Sequence, residues 1–261
     1  MTCKLIVFSP TGGTQRAAEL LAEPFQPIAE TIDLCAMHTD FSKTTLTSDD
    51  LCIVAVPSFA GRVPATAVER LRQMQGNGAR AVLVAVYGNR AFEDTLVELQ
   101  DVLTEQGFHC IAGVGALAEH SIARQFTAGR PDAQDAAVLA DFGRKIADKL
   151  ANNDDSIPTF PGNRPYRPYT PSPMHPQGNA EVCTKCGACV AACPVGAIAN
   201  DKPYETQEHC ISCMRCVKVC PQHTRTLNPV MLAGLTQKLS AVCRSEEHTS
   251  ELQSPMYLVC R

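Results

Sequence analysis

Up to Leu150 the chain alternates two apolar patterns. Short runs that are apolar almost throughout are separated by stretches in which apolar residues return every three or four positions. The runs predict strands at residues 4–8, 28–34, 51–56, 81–87 and 110–117. The third and fourth are nearly continuous, as strands covered on both faces must be. The spaced pattern predicts helices. Ala17, Leu20 and Leu21 share a face in residues 14–23; Leu96, Leu99 and Leu103 mark a second helix; Val138, Phe142, Ile146 and Leu150 mark a third. Strand–helix alternation over this length implies an α/β fold, a parallel sheet with helices on both faces.

The pattern stops between residues 156 and 177, where seven prolines fall in 22 residues. Such a stretch forms neither helix nor central strand and reads as a semi-rigid connector. Tyr166 and Tyr169 favour its lying against a domain. A cysteine-rich segment follows, ending in a helix-like stretch at residues 231–239. Residues 244–254 resemble the in-frame translation of a sequencing-library adapter. On that reading residues 244–261 are an assembly artefact, His248 and Cys260 carry no function, and the natural C-terminus is missing. The expected divisions are 1–152, a linker at 153–178, a small α+β unit at 179–243, and the tail.

Composition narrows the options. A hydrophobic content of 45% is ordinary for a globular chain, and a net charge of −4 marks neither a nucleic-acid binder nor a membrane-surface protein. No signal peptide or membrane-length apolar run is visible, so a cytoplasmic, reducing setting is expected. Eight of the 14 cysteines fall in two runs. Cys3, Cys52 and Cys110 sit in strand-like stretches and read as small buried hydrophobes. His109, His120, His209 and His223 are scattered and read as solvated or satisfied.

The two runs carry the strongest chemistry. Cys183, Cys186, Cys189 and Cys193 precede Pro194, and Cys210, Cys213, Cys216 and Cys220 precede Pro221; both read C-x2-C-x2-C-x3-C-P. That spacing wraps a cubane 4Fe–4S cluster, with the fourth cysteine reaching the neighbouring cluster. The expected ligand sets are therefore Cys183, Cys186, Cys189 and Cys220 for one cluster, and Cys193, Cys210, Cys213 and Cys216 for the other. Structural zinc favours two separated C-x2-C knuckles, and a disulfide framework needs an oxidising compartment. Lys185, Arg215 and Lys218 lie inside the runs, where they would favour reduced clusters, dock an acidic partner or simply face solvent.

Residues 9–14, Ser-Pro-Thr-Gly-Gly-Thr, follow the first strand and open a helix, so hydroxyls and amides converge at its positive end. The loop resembles the FMN phosphate loop of flavodoxins. The resemblance implies that Ser9, Thr11 and Thr14 bond the phosphate while Gly12 and Gly13 let the backbone approach. Pro57, Ser58, Phe59, Gly61 and Arg62 follow the third strand, and Tyr87, Gly88, Asn89 and Arg90 follow the fourth, at the strand ends where open α/β sheets bind ligands. By the same resemblance, Phe59 and Tyr87 would flank the isoalloxazine ring, Gly61 and Gly88 would let peptides approach it, and Arg62 and Arg90 would offset the charge of reduced flavin. Residues 125–130 form a candidate further loop over the site. The chain has no tryptophan, so the Trp stacking of small flavodoxins is absent.

Taken whole, residues 3–243 resemble the fused flavodoxin–ferredoxin electron-transfer proteins of anaerobic bacteria, the EFR-type ferredoxins. The resemblance implies a flavodoxin-like doubly wound five-stranded sheet of order 2-1-3-4-5, followed by a small bacterial-ferredoxin-like domain. It implies FMN and two 4Fe–4S clusters, redox protein partners, and no nucleic acid or membrane. The implied function is electron transfer between FMN and the clusters, coupling a low-potential donor to a partner reductase. The alternative is a flavin-dependent reductase of a small acceptor such as a quinone or nitro compound.

Overall fold

The computed structural model describes residues 1–243 and, as a strand, Tyr257–Val259. Its centre is a parallel sheet of β1 (Thr2–Val7), β2 (Ile28–Asp33), β3 (Asp50–Pro57), β4 (Arg80–Tyr87) and β5 (His109–Leu117), in the order β2-β1-β3-β4-β5. The order reverses beside β1, so the carboxyl ends of β1 and β3 border the crevice where such sheets bind ligands.

Period-two alternation divides the sheet residues between two cores. Ile6, Phe8, Val54, Val56, Leu83 and Ala85 face one layer, with α2 (Ala65–Leu71) and α3 (Thr95–Glu105) over it. Leu5, Val7, Ile53, Ala55, Val82 and Val84 face the other, covered by α1 (Gly13–Leu21) and α4 (Ala133–Ala151). Leu139, Phe142 and Ile146 of α4 are buried against Ala17, Ala18 and Leu21 of α1. Asp132 and Asp135 close a capping box at the start of α4. Helix α2 has no counterpart in the apolar pattern. It is only seven residues long, too few for a 3.6 period to declare itself, and it starts directly after Pro64.

The proline-rich segment is pinned to the sheet domain. Phe160 is buried over β5, where Gly113 leaves room: a Cβ there would overlap its ring. Burying such a ring contributes about 1.5–3 kcal/mol. Asp94, itself buried, accepts from the amides of Asn163 (2.8 Å) and Arg167 (2.7 Å). Tyr166 lies under the Arg62 guanidinium at 4.6 Å and donates its hydroxyl to Asp101.

The cysteine-rich unit contains α5 (Ala188–Ala192), α6 (Arg215–Val219) and a two-stranded antiparallel ribbon of β6 (Gln177–Gly178) and β7 (Arg225–Thr226). Helix α7 (Pro229–Val242), capped by Asn228, follows. Tyr257–Val259, β8, lies parallel to the outer edge of β5, whose backbone groups would otherwise be unpaired. The rest of the tail, with His248 and Cys260, lies outside the described residues. Among the described residues no helix is long and apolar enough to cross a membrane. Cys3, Cys52 and Cys110 are buried in the sheet domain, and burial pushes their thiols up to about 11, 12 and 11.

Candidate functional site

The loop after β1 turns on Gly12, whose φ of 99° lies in the left-handed region, and runs straight into α1. The Ser9 hydroxyl accepts from the Gln15 amide at 2.9 Å and so braces the loop. Thr11, Gly13 and Thr14 line an open cavity at the carboxyl edge of the sheet. Gly13 is needed there because a Cβ would press on Ala118 at 3.0 Å. The residues present thus offer a phosphate two hydroxyls and the amide end of a helix.

Pro57, Ser58, Phe59, Tyr87 and Gly88 line the same cavity. Phe59 packs edge-on against Phe8, with centroids 6.5 Å apart, and Tyr87 against Phe92 at 5.2 Å. Residues 59–62 form a tight turn: the Phe59 and Arg62 backbones exchange hydrogen bonds, and Ala60 and Gly61 carry positive φ. This turn swings Arg62 off the cavity. Its guanidinium holds Glu98 through two bonds of 2.7 Å and donates to the Arg167 carbonyl. Arg90 likewise pairs with Glu93 at 2.7 and 2.9 Å, and Asn89, at φ 65°, forms the turn before it. Ser9, Gly12, Gly61, Arg62, Asn89 and Arg90 therefore border the cavity's loops without lining it.

Several lining residues have no signature in the sequence. His120 follows β5 and packs so tightly on Gly88 that a Cβ there would meet its Cβ at 2.7 Å. Its Nδ1 accepts from the amides of Ile122 and Ala123, and burial, then the nearby Arg90 charge, hold its pKa below 6.5. Tyr169 and Ser172 come from the proline-rich segment, and Ile211, Ser212 and Cys213 from the cysteine-rich unit. The cavity thus has a wall from each part of the chain. Residues 125–130 do not line it, but Thr127 ties their loop back to the Ala118 carbonyl.

The cysteines form two groups. Cys183, Cys186, Cys189 and Cys220 surround one recess. Cys193, Cys210, Cys213 and Cys216 surround another. Each group takes three cysteines from one run and the last from the other. Among the described residues, no three His, Cys, Asp or Glu side chains converge on a single-ion position. Eight sulfurs around two hollows suit cubane clusters better than isolated ions. Residues 175–233 match the family described as 4Fe-4S dicluster domain.

The chain joins a doubly wound parallel sheet of flavodoxin-like strand order to a segment that matches the 4Fe-4S dicluster domain.

No curated protein matches the chain. Solved structures similar to it include the Streptococcus pneumonia TIGR4 flavodoxin, 18% identical over 57% of this chain and 99% of that one, with a TM-score of 0.40. Flavodoxin 1 from Bacillus cereus is 17% identical over 57% and 98%, with a TM-score of 0.42. A flavodoxin from the domain Archaea is 15% identical over 58% and 99%, with a TM-score of 0.40.

Within residues 175–233, amides point at cysteine sulfurs: Ala197 donates to Cys193 Sγ at 3.2 Å and Ser212 to Cys210 Sγ at 3.4 Å. Burial raises the thiols of Cys189, Cys210 and Cys216, and the Arg225 charge pulls each back down. Cys186 is exposed, whereas Cys193, Cys213 and Cys216 are buried. The first recess therefore opens outward and the second faces the sheet domain. Contacts across that junction include Arg215 to Ser9 and Asp33, and Arg70 Nη2 to the Pro194 carbonyl at 2.5 Å.

Proposed function

We propose that the chain is an electron-transfer protein that passes electrons between FMN and two 4Fe–4S clusters, coupling a low-potential donor to a partner reductase. One observation carries this reading. Ile211 and Cys213 line both the cavity at the carboxyl edge of the sheet and the second cysteine recess, so a flavin in one and a cube in the other would share a wall. When bound, FMN exchanges electrons singly or in pairs and each cube exchanges one, which suits the pair to adapting two-electron to one-electron carriers.

The residues' part is to hold, orient and shelter. Thr11 and Thr14 donate hydroxyls to the phosphate, while Gly13 lets the α1 amides come near. Pro57, Ser58, Phe59, Tyr87 and Gly88 wall the ring, and His120 and Tyr169 exclude water from it. Ser9 and Gly12 fix the shape of the phosphate loop. Arg62 and Arg90 act at one remove: they clamp α3 and the turn after β4 through Glu98 and Glu93. Cys193, Cys210, Cys213 and Cys216 hold the inner cluster. Cys183, Cys186, Cys189 and Cys220 hold the outer one, where the exposed Cys186 leaves room for a redox protein to dock.

The test compares acceptors. Anaerobically purified holoprotein, reduced with dithionite, is mixed in a stopped-flow instrument with an oxidised ferredoxin, and separately with a quinone or a nitro compound. Rapid exchange with the ferredoxin and poor turnover of the small acceptors are expected. Efficient turnover of a small acceptor without any protein partner would replace this reading with a flavin-dependent reductase.

A further inference from the structure

The cysteine runs repeat with an offset of 27 residues: Cys183 recurs as Cys210, and Cys193 as Cys220. The same offset pairs Ile198 with Arg225. Both side chains are buried, Ile198 at 3% exposure and Arg225 at 2%. Each lines a cysteine recess, Ile198 the inner one and Arg225 the outer one. The repeat therefore sets a hydrocarbon at one site and a permanent cation at its counterpart.

Loop clamping accounts for only part of Arg225. Nη1 donates to the Pro203 carbonyl, and Nη2 to the Pro176 carbonyl (2.9 Å) and the Thr206 hydroxyl. All three partners are neutral oxygens, and Nε has no partner. A buried guanidinium bonded only to neutral groups is left with an uncompensated charge, which costs stability unless an anion is near. A cube held by four thiolates is such an anion. Its reduction adds one electron, with no bond made or broken and no proton taken up, so a fixed cation beside it favours the reduced state.

We propose that Arg225 is the residue that raises the reduction potential of the outer cluster, the one held by Cys183, Cys186, Cys189 and Cys220. The inference rests on the reading of the two recesses as cluster sites. Ile198 supplies no charge of its own at the inner site, so the Arg225 charge acts there only from outside the recess, on Cys216 and Cys210.

The experiment is an EPR-monitored redox titration of reconstituted, full-length protein, with iron counted on each sample. A Cys186→Ser variant identifies the outer cluster's signal. Arg225→Gln keeps hydrogen-bonding capacity and removes the charge. It should retain its iron and titrate with a more negative outer-cluster potential, while Arg225→Lys stays near wild type. An unchanged outer potential in Arg225→Gln, with full iron, overturns the proposal. If Arg225→Gln loses iron, Arg225→Lys decides. Iron retained at a near-wild-type potential supports the role of charge; loss of iron there too reduces Arg225 to a clamp and overturns it. Wild-type protein that binds no iron would instead refute the cluster sites themselves.

Discussion

Arg215 reaches from the cysteine-rich unit to the loop after β1: its Nη1 donates to the Ser9 carbonyl at 3.2 Å. Its Nη2 donates to Asp33 at the end of β2, also at 3.2 Å. Arg215 is the residue immediately before Cys216, so the inner cysteine set and the first loop of the sheet domain are tied through one side chain. Arg215→Met should leave iron and flavin content intact while loosening the junction. The expected loss is about 1–2 kcal/mol, because solvent at this partly exposed junction weakens both charged hydrogen bonds. Urea unfolding and proteolysis of the 153–178 segment measure it; an unchanged midpoint and cleavage rate would remove Arg215 from the junction.

Cys193 stands in the first run but lines the recess of the second. Cys193→Ala should therefore damage the cluster of Cys210, Cys213 and Cys216, lowering iron from about eight to about four atoms per chain. EPR distinguishes the remaining cluster. Loss of the signal assigned to Cys183, Cys186 and Cys189 would contradict the crossed arrangement.

The phosphate loop can be tested without touching iron. Replacing Thr11 and Thr14 together by valine removes both cavity-lining hydroxyls of that loop. Hydrogen bonds to a charged group contribute about 1.5–3 kcal/mol, so FMN should bind about 10- to 100-fold more weakly per hydroxyl lost. Fluorescence titration of FMN reads the effect, and iron content should not move. Unchanged flavin affinity would unseat the loop as the phosphate site.

His120 gives the fold a pH dependence with a definite sign. Its folded pKa lies below 6.5, because it is buried and faces the Arg90 charge. As pH falls through about 6.5 the unfolded chain takes a proton that the folded chain refuses, so this contribution is present above that value and is lost below it. The urea midpoint should drop between pH 7 and 6, and the drop should shrink in His120→Gln. Equal slopes in the two proteins would show that His120 does not carry it.

How much of this was written in the sequence depends on how far each feature reaches along the chain. Residues 51–56 declare a central strand because both their faces are covered, leaving six apolar positions in a row. The cysteine grouping is legible because cluster geometry fixes the spacing. Helix α2 is illegible because it is short, and β6 and β7 because two residues make no pattern. Arg62 reads as a flavin-side charge until Glu98, 36 residues on, is seen to take it. His120 and Tyr169 reach the cavity only through tertiary packing, His120 against Gly88 and Tyr169 along a proline-rich path. The tyrosines of the proline segment predict its adherence to a domain, yet Phe160 is its most buried ring.

The most direct test is an anaerobic reductive titration of the reconstituted protein, followed by visible absorption and EPR with iron and flavin counted on the same sample. Uptake of about four electrons per chain is expected, two into one FMN and one into each of two cubes. A folded protein that takes up neither iron nor flavin, or whose flavin and cubes are reduced without ever exchanging electrons, would contradict it.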